Sequence, residues 1–167
     1  MMKKIAVYPG TFDPITNGHL DIVFRALEFV DKLVIAILVN PEKSPLFTVR
    51  ERMEFIRKVV PADDRIEIDQ FHGLLVDYVK KKGARSILRG LRAVSDFDYE
   101  FQMALMNRRL ESTIETIFLV PAEKYTYVSS RLVKEIASLG GSVKGLVPAE
   151  VEERMKEKFH RKKGIKI

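Results

Sequence analysis

The feature that most constrains this chain is an alternation. Short apolar or β-branched runs at residues 5–8, 33–39, 65–71, 86–88 and 116–120 are each followed by a stretch with helical spacing. Strands that alternate with helices imply βαβ units, hence a parallel sheet with right-handed crossovers and helices on both faces. The second run is apolar almost without a break, as in a strand covered on both sides, which predicts a central position for it. The helical stretches have physical starts and stops. Leu20, Val23, Ala26, Leu27 and Val30 recur at helical spacing after Thr16 or Asn17, either of which can cap. Thr48-Val49-Arg50-Glu51 reads as a capping box opening a helix that Pro61 ends. Residues 74–82 form a short helix ended by Gly83, 96–110 carry Phe97, Phe101, Ala104, Leu105 and Arg108 on one spacing, and 131–139 follow Ser129 or Ser130 as cap. A last helix starts near Pro148. With 167 residues and no linker, repeat or low-complexity segment, residues 1–167 are expected to form one α/β domain.

Composition removes several chemistries. No cysteine is present, so disulfides, thiol catalysis and cysteine-bound zinc are excluded. Met-Met-Lys-Lys-Ile runs directly into the first strand and no apolar run approaches membrane-spanning length, so the expectation is a cytoplasmic protein without a membrane partner. A formal charge of +6 suits a nucleic acid, a small anionic ligand or a solvated surface. Much of the excess lies in the tail at 160–167, which reads as the solvated end of a helix.

The chemistry concentrates in the loops that follow the strands. In open parallel sheets ligands bind beyond the carboxyl ends of the strands, where strand order reverses. The loops at 9–19, 40–47, 89–92 and 125–131 all fall there. They present His19, Lys43, Arg89, Arg92 and Arg131 with the hydroxyls of Thr11, Ser129 and Ser130, a donor set suited to polyphosphate. The first loop delivers His19 to the start of a helix, where the positive dipole end favours an anion and a neutral imidazole. Neither the P-loop pattern Gly-x-x-x-x-Gly-Lys-Ser/Thr nor the dinucleotide pattern Gly-x-Gly-x-x-Gly is present.

Gly10-Thr11-Phe12-Asp13-Pro14, Thr16-Asn17-Gly18-His19, Arg89-Gly90-Leu91-Arg92 and Val128-Ser129-Ser130 together resemble the nucleotidyltransferases with a T/H-x-G-H motif. The segments at 8–22, 45–47, 89–94 and 129–135 look most like the phosphopantetheine adenylyltransferases among them, in the right order and over nearly the whole chain. The resemblance implies a Rossmann-like nucleotidyltransferase fold. It implies transfer of an adenylyl group from ATP to 4′-phosphopantetheine, giving dephospho-coenzyme A and pyrophosphate, with Mg²⁺ and a homohexameric assembly. Carried over residue by residue, it makes His19 the transition-state stabiliser, with Lys43 and Arg92 beside it. Thr11, Phe12, His19, Gly90, Leu91, Arg92, Glu100, Tyr125, Thr126, Tyr127, Val128, Ser129, Ser130 and Arg131 then take ATP, and Thr11, Lys43, Leu75 and Arg89 the acceptor. Arg131 stands where serine is frequent in the family.

No nucleophile has to be supplied, because a phosphate monoester is already largely ionised near neutral pH. Asp13 has two readings, a structural carboxylate in an Asp-Pro turn or a Mg²⁺ ligand. Two other functions share the basic composition: a relative that modifies another phosphorylated acceptor, and a nucleic-acid-binding protein, against which stands the scattering of the cations over separate loops.

Overall fold

The computed structural model describes residues 3–39, 44–92 and 94–163; Lys43 and the last residues of the basic tail lie outside them. The elements run β1 (Ile5–Gly10), α1 (Asn17–Ala26), β2 (Lys32–Leu38), α2 (Val49–Val59), β3 (Ile66–Phe71), α3 (Leu75–Lys81), β4 (Ser86–Gly90), α4 (Val94–Leu110), β5 (Glu115–Leu119), α5 (Ser130–Ser138) and α6 (Ala149–Lys163). All strand pairs are parallel and the order is β3-β2-β1-β4-β5.

That order reverses at β1, and the reversal distributes the helices. Right-handed crossovers that step from β1 to β3 lay α1 and α2 on one face; the chain then passes back over β1 to β4 and β5, so α3 and α4 cover the other. Two cores result. Ala6, Tyr8, Leu33, Ile35, Ile37 and Leu88 pack with Ile22, Phe55, Ile56, Val133, Val151 and Met155 on the first face. Val7, Val34, Ala36 and Ile87 pack with Val76, Tyr78, Val79 and Ile114 on the second, as the period of two in a strand requires.

Four expectations shift. β2 is an inner strand packed on both faces, as its apolar run predicts, but the middle position belongs to β1, because that depends on where the chain crosses back and apolar content does not report it. Pro9 and Gly10 belong to β1 and pair with Ala36 and Ile37. Arg89 and Gly90 end β4 and pair with Phe118 and Leu119. The helix cap choices resolve to Thr16 and Ser129.

The strand extensions matter because β1 and β4 pair only at Ala6–Ser86 and Val7–Ile87 among the described residues. Beyond Val7 the two central strands part, and a crevice opens at their carboxyl ends. The carbonyl of Pro9 faces it and accepts from Nη1 of Arg89 at 2.9 Å. An ordinary residue would leave an unpaired N–H on that side, and proline has none.

Candidate active site

The first wall of the crevice is built by the turn from β1 into α1. Thr16 caps α1, and the residue three places on, normally Glu or Gln in a capping box, is His19. The Thr16 backbone N–H donates to Nδ1 of His19 at 3.0 Å, and Oγ1 of Thr16 accepts from the His19 N–H at 3.3 Å. With Nδ1 used as an acceptor, the ring proton sits on Nε2. Burial, reinforced by the nearby positive charges of Arg92 and Arg89, pushes the imidazole down to about 3, so it stays neutral across the physiological range. The helix-end dipole argued from sequence acts in the same direction. Phe12 holds the ring from one side, edge-on at 5.1 Å between centroids, and adopts φ 45° to do so. A neutral imidazole fixed at both ends of its Nδ1 side is a preorganised single-proton donor.

The opposite wall comes from β4 and α4. Arg89 places Nε 2.7 Å from one carboxylate oxygen of Glu100 and Nη2 2.5 Å from the other, while Nη1 goes to Pro9. Protein groups thus take three of the five N–H donors of its planar fork, leaving one hydrogen on each terminal nitrogen. Arg89 remains positively charged and is held rigid, with its position on the cavity wall fixed before a ligand arrives. Arg92 reaches the Val128 carbonyl at 3.3 Å and ties this wall to the segment before α5.

The third wall is the start of α5. Ser129 caps it by accepting from the Leu132 N–H at 3.1 Å, and Ser130 donates its hydroxyl to the Pro14 carbonyl at 2.7 Å. The first-turn N–H groups of Ser130 and Arg131 have no partner within the helix, the standard condition of a helix start, and both residues line the crevice.

One buried carboxylate joins these walls. Asp13, 4% exposed, accepts from the N–H groups of Leu46 and Phe47 at 2.9 Å each and pairs with Lys134 of α5 at 2.6 Å. Arg52 of α2 adds a bond to the Thr11 carbonyl at 2.7 Å. The structural reading of Asp13 is the one its surroundings satisfy, since its oxygens face N–H donors and an ammonium. Glu51 similarly anchors α6 through Lys158 at 2.9 Å, and Lys158 also reaches the Leu46 carbonyl.

Three cavities meet at Thr11. One, of about 270 Å³, lies between His19, Arg92 and the start of α5 and has a mixed polar lining. A second, of about 480 Å³, runs beneath α4 between Leu38, Phe71, Leu75, Met103 and Leu110, and shares Thr11, Arg89 and Glu100 with the first. A third, of about 360 Å³, shares Ser130 and Arg131 with the first and adds Arg52 and Lys134. Cations thus surround the junction, and an apolar trench leads away from it.

Of the residues singled out from sequence, Thr11, Phe12, His19, Gly90, Arg92, Glu100, Val128, Ser129, Ser130 and Arg131 line the first cavity, with Arg89 on the wall it shares with the trench. Leu75 lines the trench. Leu91 instead continues the sheet, its N–H donating to the Leu119 carbonyl at 2.9 Å. Tyr125, Thr126 and Tyr127 sit in and after a single 3-10 turn outside the cavity lining, with Tyr125 against Gly18 and Thr126 donating to the Glu123 carbonyl. Lys43 lies outside the described residues. Sequence reasoning passed over Tyr8, Asn107, Thr116, Arg52 and Lys134, which also line the three cavities. Only the position of Tyr8 at the end of a strand before a proline distinguishes any of them in the sequence.

Residues 7–136 match the model of the cytidylyltransferase-like family. The phosphopantetheine adenylyltransferase of Syntrophus aciditrophicus is 57% identical over 158 residues, covering 95% of this chain and 96% of the relative. That of Carboxydothermus hydrogenoformans is 54% identical over 158 residues, covering 95% and 98%. Among solved structures, a bifunctional NMN adenylyltransferase/ADP ribose pyrophosphatase from Francisella tularensis, complexed with AMP and a manganese ion, superposes with a TM-score of 0.68. It is 16% identical and the match covers 96% of this chain and 52% of that one, a likeness of fold. Near-full-length identity above one half, together with a strand-end site carrying the whole T-x-G-H, Arg-Gly-Leu-Arg and serine-cap set, makes this chain a member of the phosphopantetheine adenylyltransferase family of nucleotidyltransferases.

Proposed function

We propose that this protein transfers the adenylyl group of ATP to 4′-phosphopantetheine, releasing pyrophosphate and forming dephospho-coenzyme A. The observation that carries the reading is the meeting of a polar cavity and a longer apolar trench at Thr11. A nucleotide and a phosphorylated, mostly uncharged arm need that pair of environments, with their phosphates brought together at the junction.

An oxygen of the acceptor phosphate attacks the α-phosphorus of ATP in line. The new P–O bond forms as the bond to the bridging oxygen of the β-phosphate breaks, and pyrophosphate leaves with the electron pair. The protein supplies no nucleophile or base; its contribution is position and charge. Nε2–H of His19 donates to the phosphoryl oxygen on which charge builds, and the N–H groups at the start of α5 take the phosphates that leave. Arg92 and Lys43 add cations, and Leu75 borders the arm.

Mg²⁺ belongs to this reading as part of the MgATP substrate. No cluster of three or more His, Asp or Glu able to hold a metal occurs among the described residues, and the site carboxylates of Asp13 and Glu100 are committed to Lys134 and Arg89. The donor set does not fit a resident ion, and a nucleotide can carry Mg²⁺ on its own phosphates. A cytoplasmic location and a homohexamer complete the proposal. For the assembly, α4 offers Phe97, Phe101 and Leu105, four residues apart and 45%, 48% and 49% exposed, on the side turned away from the trench. A stripe of that kind on a helix suits a protein contact. No helix among the described residues is long and apolar enough to cross a membrane.

The test is direct. Purified protein is incubated with ATP, Mg²⁺ and 4′-phosphopantetheine, and dephospho-coenzyme A and pyrophosphate are followed by chromatography and a coupled pyrophosphate assay. Absence of both products refutes the proposal.

A further inference from the structure

Tyr8 occupies a place that packing alone does not explain. Its ring belongs to the first core, is 4% exposed, and meets Phe12 edge-on at 5.4 Å and His19 at 6.4 Å between centroids. Its hydroxyl emerges from that core at the floor of the first cavity, facing Gly90, where an added Cβ would lie 3.8 Å from the phenolic oxygen. Among the described residues this hydroxyl has no hydrogen-bond partner, although the groups around it, Arg89, Arg92 and Glu100, are all charged. It is not sealed in the core either: the sole buried side-chain polar atom without a partner among the described residues is Oγ1 of Thr116.

A phenolic hydroxyl that opens from a buried ring onto a cavity, with no protein partner, is left to bond whatever fills that cavity, which a phenylalanine could not do. Burial raises the pKa of Tyr8 far above the ordinary phenol range, over the opposing fields of Arg89 and Arg92, so the group is always an O–H donor. Glycine at position 90 leaves the space in front of it open to a ligand atom.

We infer that Tyr8 is a nucleotide-binding residue whose hydroxyl donates a hydrogen bond to an oxygen of the nucleotide in the first cavity. This rests on the reading of that cavity as the ATP site. The acceptor oxygen is either a sugar hydroxyl or a phosphate oxygen, and both have the same complementarity to a fixed O–H.

Tyr8→Phe removes one oxygen and keeps the ring that packs against Phe12. The expected result is a Kd and KM for ATP raised roughly 5- to 50-fold, the range for loss of one hydrogen bond. KM for 4′-phosphopantetheine and the urea midpoint stay unchanged. Repeating the titration with 2′-deoxy-ATP and 3′-deoxy-ATP locates the contact. A penalty that vanishes with one analogue places it on the sugar; a penalty that survives both places it on a phosphate; either upholds it. An ATP affinity within twofold of wild type overturns the inference, as does a lowered urea midpoint with unchanged affinity. Failure of the wild-type protein itself to bind ATP by calorimetry overturns the ATP reading instead.

Discussion

His19 should make this protein acid-sensitive in a way that a single substitution removes. Its imidazole is held at about 3 in the fold by burial and by Arg92 and Arg89, against roughly 6.5 in an unfolded chain. Below pH 6.5 the unfolded state takes up a proton that the native state refuses, so stability falls as pH drops and is recovered as pH rises through the unfolded value. Between pH 7 and pH 5 the unfolded chain goes from about one quarter to nearly fully protonated at this site, which costs about 2 kcal/mol. That is an upper figure, because the ring lines an open cavity from which water can reach Nε2. Glu51, lowered to about 2 by Lys158 and Thr48 over the opposing effect of burial, loses its contribution only as pH falls below its unfolded value, so it stays out of this window.

Urea denaturation followed by circular dichroism at pH 7 and pH 5 gives the two free energies. His19→Gln is the informative variant, since Gln is a natural capping-box residue and can still accept from the Thr16 N–H. The variant should lose about 2 kcal/mol less than wild type over that pH interval. Equal losses in the two proteins would show that His19 titrates normally in the fold, and would refute the neutral-donor assignment with it.

His19→Ala should slow adenylyl transfer by roughly 10²-fold or more, as removal of one preorganised donor does, while leaving the circular dichroism spectrum intact; wild-type turnover would remove His19 from the chemistry. Asp13→Asn can accept only one of the Leu46 and Phe47 N–H bonds well and leaves Lys134 without its counter-ion. We expect a loss of about 2–4 kcal/mol, at the low end for a buried pair because Lys134 is partly exposed, seen as a melting point lower by roughly 5–15 °C. A change under about 1 °C would show that the two loops hold together without this carboxylate. Phe101→Glu on the outer side of α4 should reduce the sedimentation mass of the assembly without changing the monomer's helix content; an unchanged mass would free α4 from any role in it.

Much of this architecture is legible in the chain. The period of two in the strands, the capping boxes at Thr16 and Thr48, and Gly83 at positive φ after α3 are local, because each is settled by residues within one turn of one another. The fold class follows from them, and the motif blocks were visible as motifs for the same reason. Their boundaries were less so. Pro9-Gly10 and Arg89-Gly90 carry turn residues, yet both pairs finish strands, because ladder bonds to β2 and β5 outweigh local preference.

The chain by itself thus determined a parallel α/β sheet, its helix starts and the neighbourhood of the T-x-G-H histidine. Tertiary structure decided that β1 lies at the centre, that β1 and β4 part beyond Val7, and that Arg89 is held by Glu100 instead of lying free. It also decided that Asp13 is a joint between loops and that the hydroxyl of Tyr8 faces the cavity. These depend on contacts between residues far apart in sequence, such as Asp13 with Lys134 or Pro9 with Arg89, and no local pattern specifies which distant group will arrive. The opening Tyr-Pro-Gly-Thr-Phe-Asp-Pro stretch shows the division: its residue types announce a site, and only the fold assigns which of them face the ligand and which hold the loop.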